Sequence, residues 1–177
     1  KVRLFLADLH IHTALSPCAE NEMTPPAIIK AAKAKGLEII GICDHNSAEN
    51  VLPVIRAGET EGVTVLGGIE VQTVEDVHVL TFFPYTDALI SWQEEIYSAL
   101  PDIKNDEARF GEQLVMDSHG NVKGKICALL LASTSMSVDY VGKRVRELEG
   151  LVIPAHVDRP SFSLIRNLGF VPGRLRP

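Results

Sequence analysis

The chain has 177 residues, of which 46% are hydrophobic and 23% are charged, so it is long enough for one globular domain with a sizeable core. Its formal net charge of -6 is unlike that of a protein with a basic face for duplex DNA, and we expect no duplex DNA partner. No apolar run reaches the roughly 18 residues of a membrane-spanning helix, and the 3 cysteines do not form a disulfide framework. These features predict a cytoplasmic protein with no membrane partner, and they leave the oligomeric state open.

The first part of the sequence alternates apolar strands with helices. In chain order the predicted elements are a strand over 2–9, a helix over 27–35, a strand over 37–43, a helix over 48–61 and a strand over 63–66. Thr24 and Ser47 are the predicted N-caps of the two helices, and Gly36 and Gly62 end them. Repeated strand–helix–strand units of this length favour a parallel α/β sheet or barrel.

The pattern changes after Glu70. Residues 71–77 are too few for a crossover helix, so the strand from His78 to Phe83 is predicted to return as a hairpin centred on Val74. The remaining predicted elements are a helix over 86–100, a polar insertion over about 101–125 with a hairpin around 117–121, a helix over 137–149, a strand over 151–155 and a helix over 161–168. We therefore expect a single domain over residues 1–177 that contains one insertion.

Side chains that can bind metal follow the ends of the first three predicted strands. His10 and His12 are two residues apart at the end of the first strand, where side chains i and i+2 point to the same side. Asp44 and His45 come directly after the second strand, and Glu70 ends the third. The C-terminal ends of such strands build the active sites of α/β barrels and open sheets, so these residues are predicted to converge.

Two further histidines are predicted at the same edge. His156 follows the last predicted strand, and a hairpin centred on Val74 would place His78 opposite Glu70. His119 lies in a polar hairpin and is predicted at the surface. A site rich in histidine with one or two carboxylates suits Zn²⁺, Mn²⁺ or Fe²⁺ better than Ca²⁺ or Mg²⁺. The number of ligands exceeds what one ion needs, so at least two ions are expected.

Five short motifs resemble those of the PHP (polymerase and histidinol phosphatase) domain, over about residues 4–170. They are Asp8-Leu9-His10-Ile11-His12-Thr13 with Ser16 following, Ile42-Cys43-Asp44-His45-Asn46, Gly68-Ile69-Glu70, Val77-His78-Val79-Leu80, and Pro154-Ala155-His156. The resemblance is to the stand-alone phosphoesterases of the family. It implies an α/β fold, a distorted (β/α)₇ TIM-like barrel, with two or three divalent metal ions at the C-terminal strand ends. It also implies hydrolysis of a small phosphorylated substrate, such as a nucleotide or a short oligonucleotide.

The same resemblance implies roles for individual residues. The implied metal ligands are His10, His12, His45, Glu70, His78 and His156, with Glu70 as the bridge between ions. The expected catalytic residues are Asp44, Glu70 and Arg159, of which Arg159 is suggested by its position just after His156 and not by the resemblance. Asp44 would orient its neighbours, because ligating imidazoles commonly have a carboxylate partner. Arg159 would hold a phosphate group through a bidentate contact, and a surface arginine in a loop is the alternative interpretation.

Two departures from the family pattern affect these expectations. Many relatives have an Asp ligand just after the Ser of the first motif, where this chain has Pro17-Cys18; Cys18 or Glu20 would replace it, and a loop role is the alternative. The Asp-x-His motif that ends the family's site does not occur before Pro177. We therefore expect a truncated barrel that lacks its last elements, binds fewer metal ions and is inactive as an isolated chain.

The expected chemistry is hydrolysis of a phosphoester by a hydroxide that metal ions generate. Two other functions stay open. An amidohydrolase also uses a His-x-His strand in a barrel, and a metal-binding module without catalytic activity would need no complete ligand set.

Overall fold

The computed structural model describes residues 2–175, except for the side chain of Arg174. In chain order its strands and helices are β1 (Ala7–Ile11), α1 (Pro25–Ala34), β2 (Ile39–His45), α2 (Val51–Glu61), β3 (Thr64–Gln72), β4 (His78–Phe83), α3 (Thr86–Ala99), α4 (Glu107–Phe110), β5 (Leu114–Met116), β6 (Val122–Lys125), α5 (Val138–Glu147), β7 (Leu151–Pro154) and α6 (Leu164–Leu168). None of the helices in the described part of the chain is long and apolar enough to cross a membrane.

The main sheet has five strands in the order β1-β2-β3-β4-β7. Strands β1, β2 and β3 are parallel, whereas β4 is antiparallel to both of its neighbours. Strand β7 therefore runs in the same direction as the first three strands. Within residues 2–175 the sheet is a curled half-barrel, which confirms the predicted α/β fold of incomplete TIM-like type.

Helices α1, α2, α3 and α5 contribute to the main core. Ile29, Val54, Trp92 and Val141 are almost wholly buried there together with apolar side chains of the sheet. The opposite face of the sheet carries a smaller buried cluster of Cys43, Leu80, Phe82 and Ala155. Alternate residues of the strands thus contribute to two apolar layers, one on each face of the sheet, as expected for strands that are buried on both faces.

Two glycine residues allow neighbouring strands of the main sheet to pack closely together. A Cβ atom added to Gly68 would lie 2.5 Å from the carbonyl oxygen of Thr81, and one added to Gly41 would lie 2.7 Å from that of Leu9. Gly68 therefore belongs to β3 and packs against the neighbouring strand.

Several predicted boundaries in the first half differ from the structure. Strand β1 begins at Ala7 instead of Val2, because Val2 is 95% exposed and has no sheet to join. Helix α2 begins at Val51, and Ser47 does not cap it. The Ser47 hydroxyl instead lies 2.7 Å from the hydroxyl of Tyr97. Strand β2 extends to His45, so Asp44 and His45 end the strand instead of following it.

The β3–β4 hairpin exists, but its register differs from the predicted one. Gln72 pairs with His78, and Glu70 pairs with Leu80. The predicted centre at Val74, which set Glu70 opposite His78, is therefore wrong by one position, and Glu70 and His78 are diagonal neighbours. The loop is fixed by Asp76, whose φ of 55° places it in the left-handed region.

Residues 101–125 contain α4 and a separate two-stranded sheet of β5 and β6. The predicted turn is present: the Asp117 backbone N–H donates to the Asn121 carbonyl at 2.9 Å. The side chain of Asn50 fastens this segment to the main body. Its amide group donates to the Leu114 carbonyl at 2.9 Å and accepts from the Met116 backbone N–H at 2.8 Å.

Candidate metal centre

The predicted ligands meet at one edge of the main sheet. His10 lies near the C-terminal end of β1, His45 ends β2, and Glu70 lies near the end of β3. His78 begins β4 and His156 follows β7. Because β4 runs in the opposite direction, its first residue lies at the same edge as the last residues of the other strands.

Glu70 is at the centre of this group and is 1% exposed. Its Oε1 atom lies 3.2 Å from Nε2 of His10, 3.1 Å from Nδ1 of His78 and 3.3 Å from Nε2 of His156. Three imidazoles therefore surround one oxygen of the carboxylate.

The other oxygen of Glu70 has its own pair of imidazoles. Oε2 lies 3.1 Å from Nε2 of His12 and 3.3 Å from Nδ1 of His45. The two oxygens thus divide five histidines into two sets. A bridging carboxylate between two cations has this arrangement.

Two of these atoms, Oε1 of Glu70 and Nδ1 of His45, are buried without a hydrogen-bond partner. Unpaired buried polar atoms are costly, so two of them at one place are typical of groups that bind a cation. Metal bonds of about 2.1 Å at a tetrahedral angle would set two ligand atoms about 3.4 Å apart. The observed separations of 3.1 to 3.3 Å agree with that value, so these residues fit divalent cations.

The electrostatics of the centre favour a cation as well. Burial acts to raise the pKa of the Glu70 carboxyl, but close contacts with His10 and His12 among others outweigh it and hold the pKa well below its usual range. Burial lowers the pKa of His45 to about 3 despite the opposing charge of Glu70. The centre therefore combines an ionised carboxylate with a neutral imidazole, and both are in the protonation state that binds metal.

A cavity of about 700 Å³ opens next to the centre. Besides the candidate metal ligands, its wall contains Phe110, Leu131, Arg159 and Phe162. Arg159 is exposed and lines this pocket. The ring of Phe162 stacks on that of His78 with centroids 4.7 Å apart, and its carbonyl accepts from the His78 backbone N–H at 3.1 Å.

A comparison with known protein families agrees with the candidate metal centre that the geometry indicates. The family model of the PHP domain matches residues 8–156. This chain belongs to the PHP domain family. The matched segment contains all six residues of the proposed ligand set, from His10 to His156.

Similar proteins were found both by sequence and by structure. Protein MJ1587 of Methanocaldococcus jannaschii is 35% identical over 77 residues, which cover 39% of this chain and 45% of that protein. The lesion-specific endonuclease EndoQ of Pyrococcus furiosus has a TM-score of 0.67 at 22% identity, over 97% of this PHP domain and 39% of that chain. A protein of Bifidobacterium adolescentis, named as a candidate metal-dependent phosphoesterase, has a TM-score of 0.58 at 21% identity, over 90% and 70% of the two chains. The PHP domain thus spans less than half the length of MJ1587 and of the endonuclease.

Two other structural matches bear on the range of partners and reactions. An Endonuclease Q complex with a 27-mer duplex substrate, which carries an abasic lesion at the active site, has a TM-score of 0.57 at 22% identity over 90% of this chain and 37% of that one. The exclusion of duplex DNA is therefore wrong, because net charge alone does not exclude a duplex from this fold. An amidohydrolase of Chromobacterium violaceum also has a TM-score of 0.57, at 17% identity over 86% and 67% of the two chains.

Asp44 lies behind the PHP-domain centre and not in its pocket. It is fully buried and accepts from the Thr13 backbone N–H at 2.7 Å, the Thr13 hydroxyl at 2.8 Å and the Ser16 hydroxyl at 2.7 Å. Burial raises its pKa, and the positive field of His12 opposes that effect. Its position supports the orienting role and gives it no contact with a substrate.

The structure distinguishes the two residues that could replace the family's Asp. The Cys18 sulfur and one ring nitrogen each of His12 and His45 lie within 4.8 Å of one another. Glu20 lines a neighbouring surface depression, which Cys18 also lines, and not the cavity beside the centre. Among the described residues, Cys18 and not Glu20 therefore lies at the centre. His119 is exposed, as predicted.

Sequence reasoning missed Gln72 and the aromatic wall. The Oε1 atom of Gln72 lies 3.2 Å from Nε2 of His78. One signal could have found it: Gln72 is two residues after Glu70, so both side chains point to the same side of β3. No comparable signal marks Phe110, the last residue of α4, or Phe162, which lies in the loop after β7.

Proposed function

We propose that this PHP domain hydrolyses phosphoesters with two or three divalent cations, Zn²⁺, Mn²⁺ or Fe²⁺. The observation that carries the proposal is the division of five imidazoles between the two oxygens of Glu70. A single cation would not need a carboxylate that is shared in this way.

Glu70 would contribute to two cation positions. His10 and His12 with Glu70 form one set of ligand atoms that lie within 4.8 Å of one another, and His45 and His78 with Glu70 form another. His156 is next to the second set, because its Nε2 atom lies 3.3 Å from Nδ1 of His78. The Cys18 sulfur forms a third such set with His12 and His45. Bound divalent cations lower the pKa of water from 15.7 towards about 7, which supplies hydroxide at neutral pH.

The chain's own side chains would bind and orient the substrate. Arg159 presents a guanidinium group to the pocket, and its planar set of donors matches two oxygens of a phosphate. Phe110, Leu131 and Phe162 give the pocket an apolar side that can hold a base or another ring and exclude water. Small phosphorylated molecules, nucleotides and oligonucleotides would fit this combination. We place the protein in the cytoplasm, because Cys18, Cys43 and Cys127 are all free thiols.

The test is an assay of the metal-loaded natural full-length protein. Its substrates are bis(p-nitrophenyl) phosphate, p-nitrophenyl phosphate, a single-stranded oligonucleotide and a duplex with an abasic site, each with Mn²⁺ or Zn²⁺. Turnover that a chelator abolishes and added metal restores is the expected result. Elemental analysis accompanies the assay. Protein that contains two bound ions and turns over none of these substrates would contradict the proposal.

An amidohydrolase is the second candidate, because the Chromobacterium violaceum protein shares the fold. A modified lysine is the bridging ligand of many such enzymes, but Glu70 holds that position here and no lysine is among the described residues of the pocket wall. An amide and ester panel in the same assay separates the two reactions. A module without catalytic activity would instead show metal-dependent thermal stabilisation with no turnover on either panel.

A further inference from the structure

We infer that Ser16 and Gln72 are positioning residues that determine which ring nitrogen His12 and His78 present to the metal centre. The inference rests on the proposed metal-dependent function and adds two residues that act through the ligands. It follows from counting hydrogen-bond donors and acceptors around each side chain.

The Ser16 hydroxyl has one hydrogen and two lone pairs, and three groups contact it. Asp44 Oδ1 lies at 2.7 Å, the His45 backbone N–H at 3.0 Å and His12 Nδ1 at 3.0 Å. The carboxylate can only accept, and a hydroxyl bond to an ionised acceptor is the stronger one, so the hydrogen goes to Asp44. The backbone N–H uses one lone pair.

The second lone pair of Ser16 remains for His12. It accepts only if His12 carries a hydrogen on Nδ1. In the neutral ring that hydrogen leaves a lone pair on Nε2, and this atom lies 3.1 Å from Oε2 of Glu70. Ser16 thus transmits the orienting effect of Asp44 to a metal ligand that Asp44 does not contact.

Gln72 fixes the opposite tautomer of His78. Its amide nitrogen donates to Asp76 Oδ1 at 3.3 Å and to the Ser133 hydroxyl oxygen at 2.9 Å. Because the Asp76 carboxylate only accepts, the amide orientation is determined, and the amide oxygen faces His78 Nε2 at 3.2 Å. His78 therefore donates from Nε2, which leaves its Nδ1 lone pair 3.1 Å from Oε1 of Glu70.

The two histidines are thus held in different tautomers, and each has a lone pair available to a cation bound beside the Glu70 carboxylate. The tautomer of a ligating imidazole is set by the hydrogen bond of its other nitrogen, and loss of such a partner typically lowers metal affinity 10- to 100-fold. We expect a loss in that range for each residue.

Four variants test the inference. Ser16→Ala and Gln72→Met remove the two contacts, and Ser16→Thr restores the hydroxyl. Thr13→Val is the matched control, because the Thr13 hydroxyl also donates to Asp44 and yet does not touch His12. Zinc affinity by chelator competition should fall 10- to 100-fold in the first two variants. It should recover with Ser16→Thr and change less than threefold with Thr13→Val, even if Thr13→Val lowers the unfolding temperature.

A second measurement reads the tautomers directly in metal-free protein. At a pH at which both rings are neutral, nitrogen-15 NMR of labelled histidines should report hydrogen only on Nδ1 of His12 and only on Nε2 of His78. Hydrogen on the other nitrogen of either ring, or unchanged zinc affinity in both Ser16→Ala and Gln72→Met, would overturn the inference. If Ser16→Ala does not fold, the Gln72→Met arm and the NMR spectrum decide it. Failure of the proposed function has a different signature, namely the expected tautomers in a wild-type protein that binds zinc without turnover.

Discussion

Replacement of Glu70 by glutamine tests the central claim about the site. The amide keeps one oxygen and replaces the other by an NH₂ group, which cannot bind a cation. One of the two cation positions therefore loses its carboxylate ligand, and the negative charge of a side chain that is 1% exposed is removed from both. We expect the number of bound ions to fall from two or more to at most one.

The size of the effect follows from ligand affinity. Loss of a partner that only supports a ligand weakens metal binding 10- to 100-fold, so loss of a direct bridge should weaken it by at least about 100-fold, or about 2.8 kcal/mol. With excess metal, binding stabilises the folded protein by RT ln(1 + [L]/Kd), and the variant should lose about the same free energy of metal-dependent stabilisation. For a chain of this size that corresponds to a metal-dependent rise in unfolding temperature smaller by about 6 to 11 °C.

The assay is thermal unfolding with and without Zn²⁺, together with elemental analysis after dialysis. Glu94→Gln, which removes the same charge from an exposed position on α3, is the control and should behave like the wild type. If Glu70→Gln retained two ions and the full metal-dependent rise in unfolding temperature, the carboxylate could not be the bridge.

Three further predictions concern stability and reactivity. Gly68→Ala places a Cβ atom 2.5 Å from a neighbouring carbonyl oxygen, and chemical denaturation should show a loss of about 1 to 3 kcal/mol, whereas Gly124→Ala, which meets nothing within 4 Å, should change little. The pKa of His45 is about 3 in the folded metal-free protein and about 6.5 when unfolded, so its contribution to stability is complete above pH 6.5 and is lost as the pH falls towards 3, at up to about 1.4 kcal/mol per pH unit. Denaturation of His45→Asn at several pH values should show a free energy of unfolding that depends less steeply on pH than that of the wild type. An unchanged slope would mean that another group takes up the proton. Cys18 and Cys127 are both exposed, but desolvation of the Cys18 thiol raises its pKa to about 11, so in metal-free protein at pH 8 iodoacetamide should label Cys127 before Cys18, as peptide mass spectrometry would show. Equal labelling rates would contradict this.

Part of the candidate centre could be predicted because it follows from local rules. His10 and His12 share a side of β1 by strand alternation, and the ends of parallel strands meet at one edge of a sheet. The same rules located His45 and Glu70. The position of His78 depends instead on the register of the β3–β4 hairpin, which the sequence pattern did not give correctly.

The details that escaped prediction depend on contacts between distant parts of the chain. The register of the β3–β4 hairpin is set by a left-handed Asp76 and by backbone bonds of its loop, which no alternation pattern reveals. The contact between Ser16 and Asp44 joins residues 28 positions apart. Phe110 lies in the insertion and Phe162 in the loop after β7, so their meeting at the pocket follows only from the folded arrangement.

The ligands are spread over almost the whole matched segment, from the first strand of the sheet to the last. A cation held by His10 and His156 would act as a reversible crosslink between distant parts of the polypeptide, comparable in its effect on the unfolded state to a disulfide that closes a long loop. Release of the ions should therefore accompany cooperative loss of the entire sheet. The absorbance of a colorimetric metal indicator added to the protein would then change on global unfolding. Motions of a loop such as residues 117–121 would not change it.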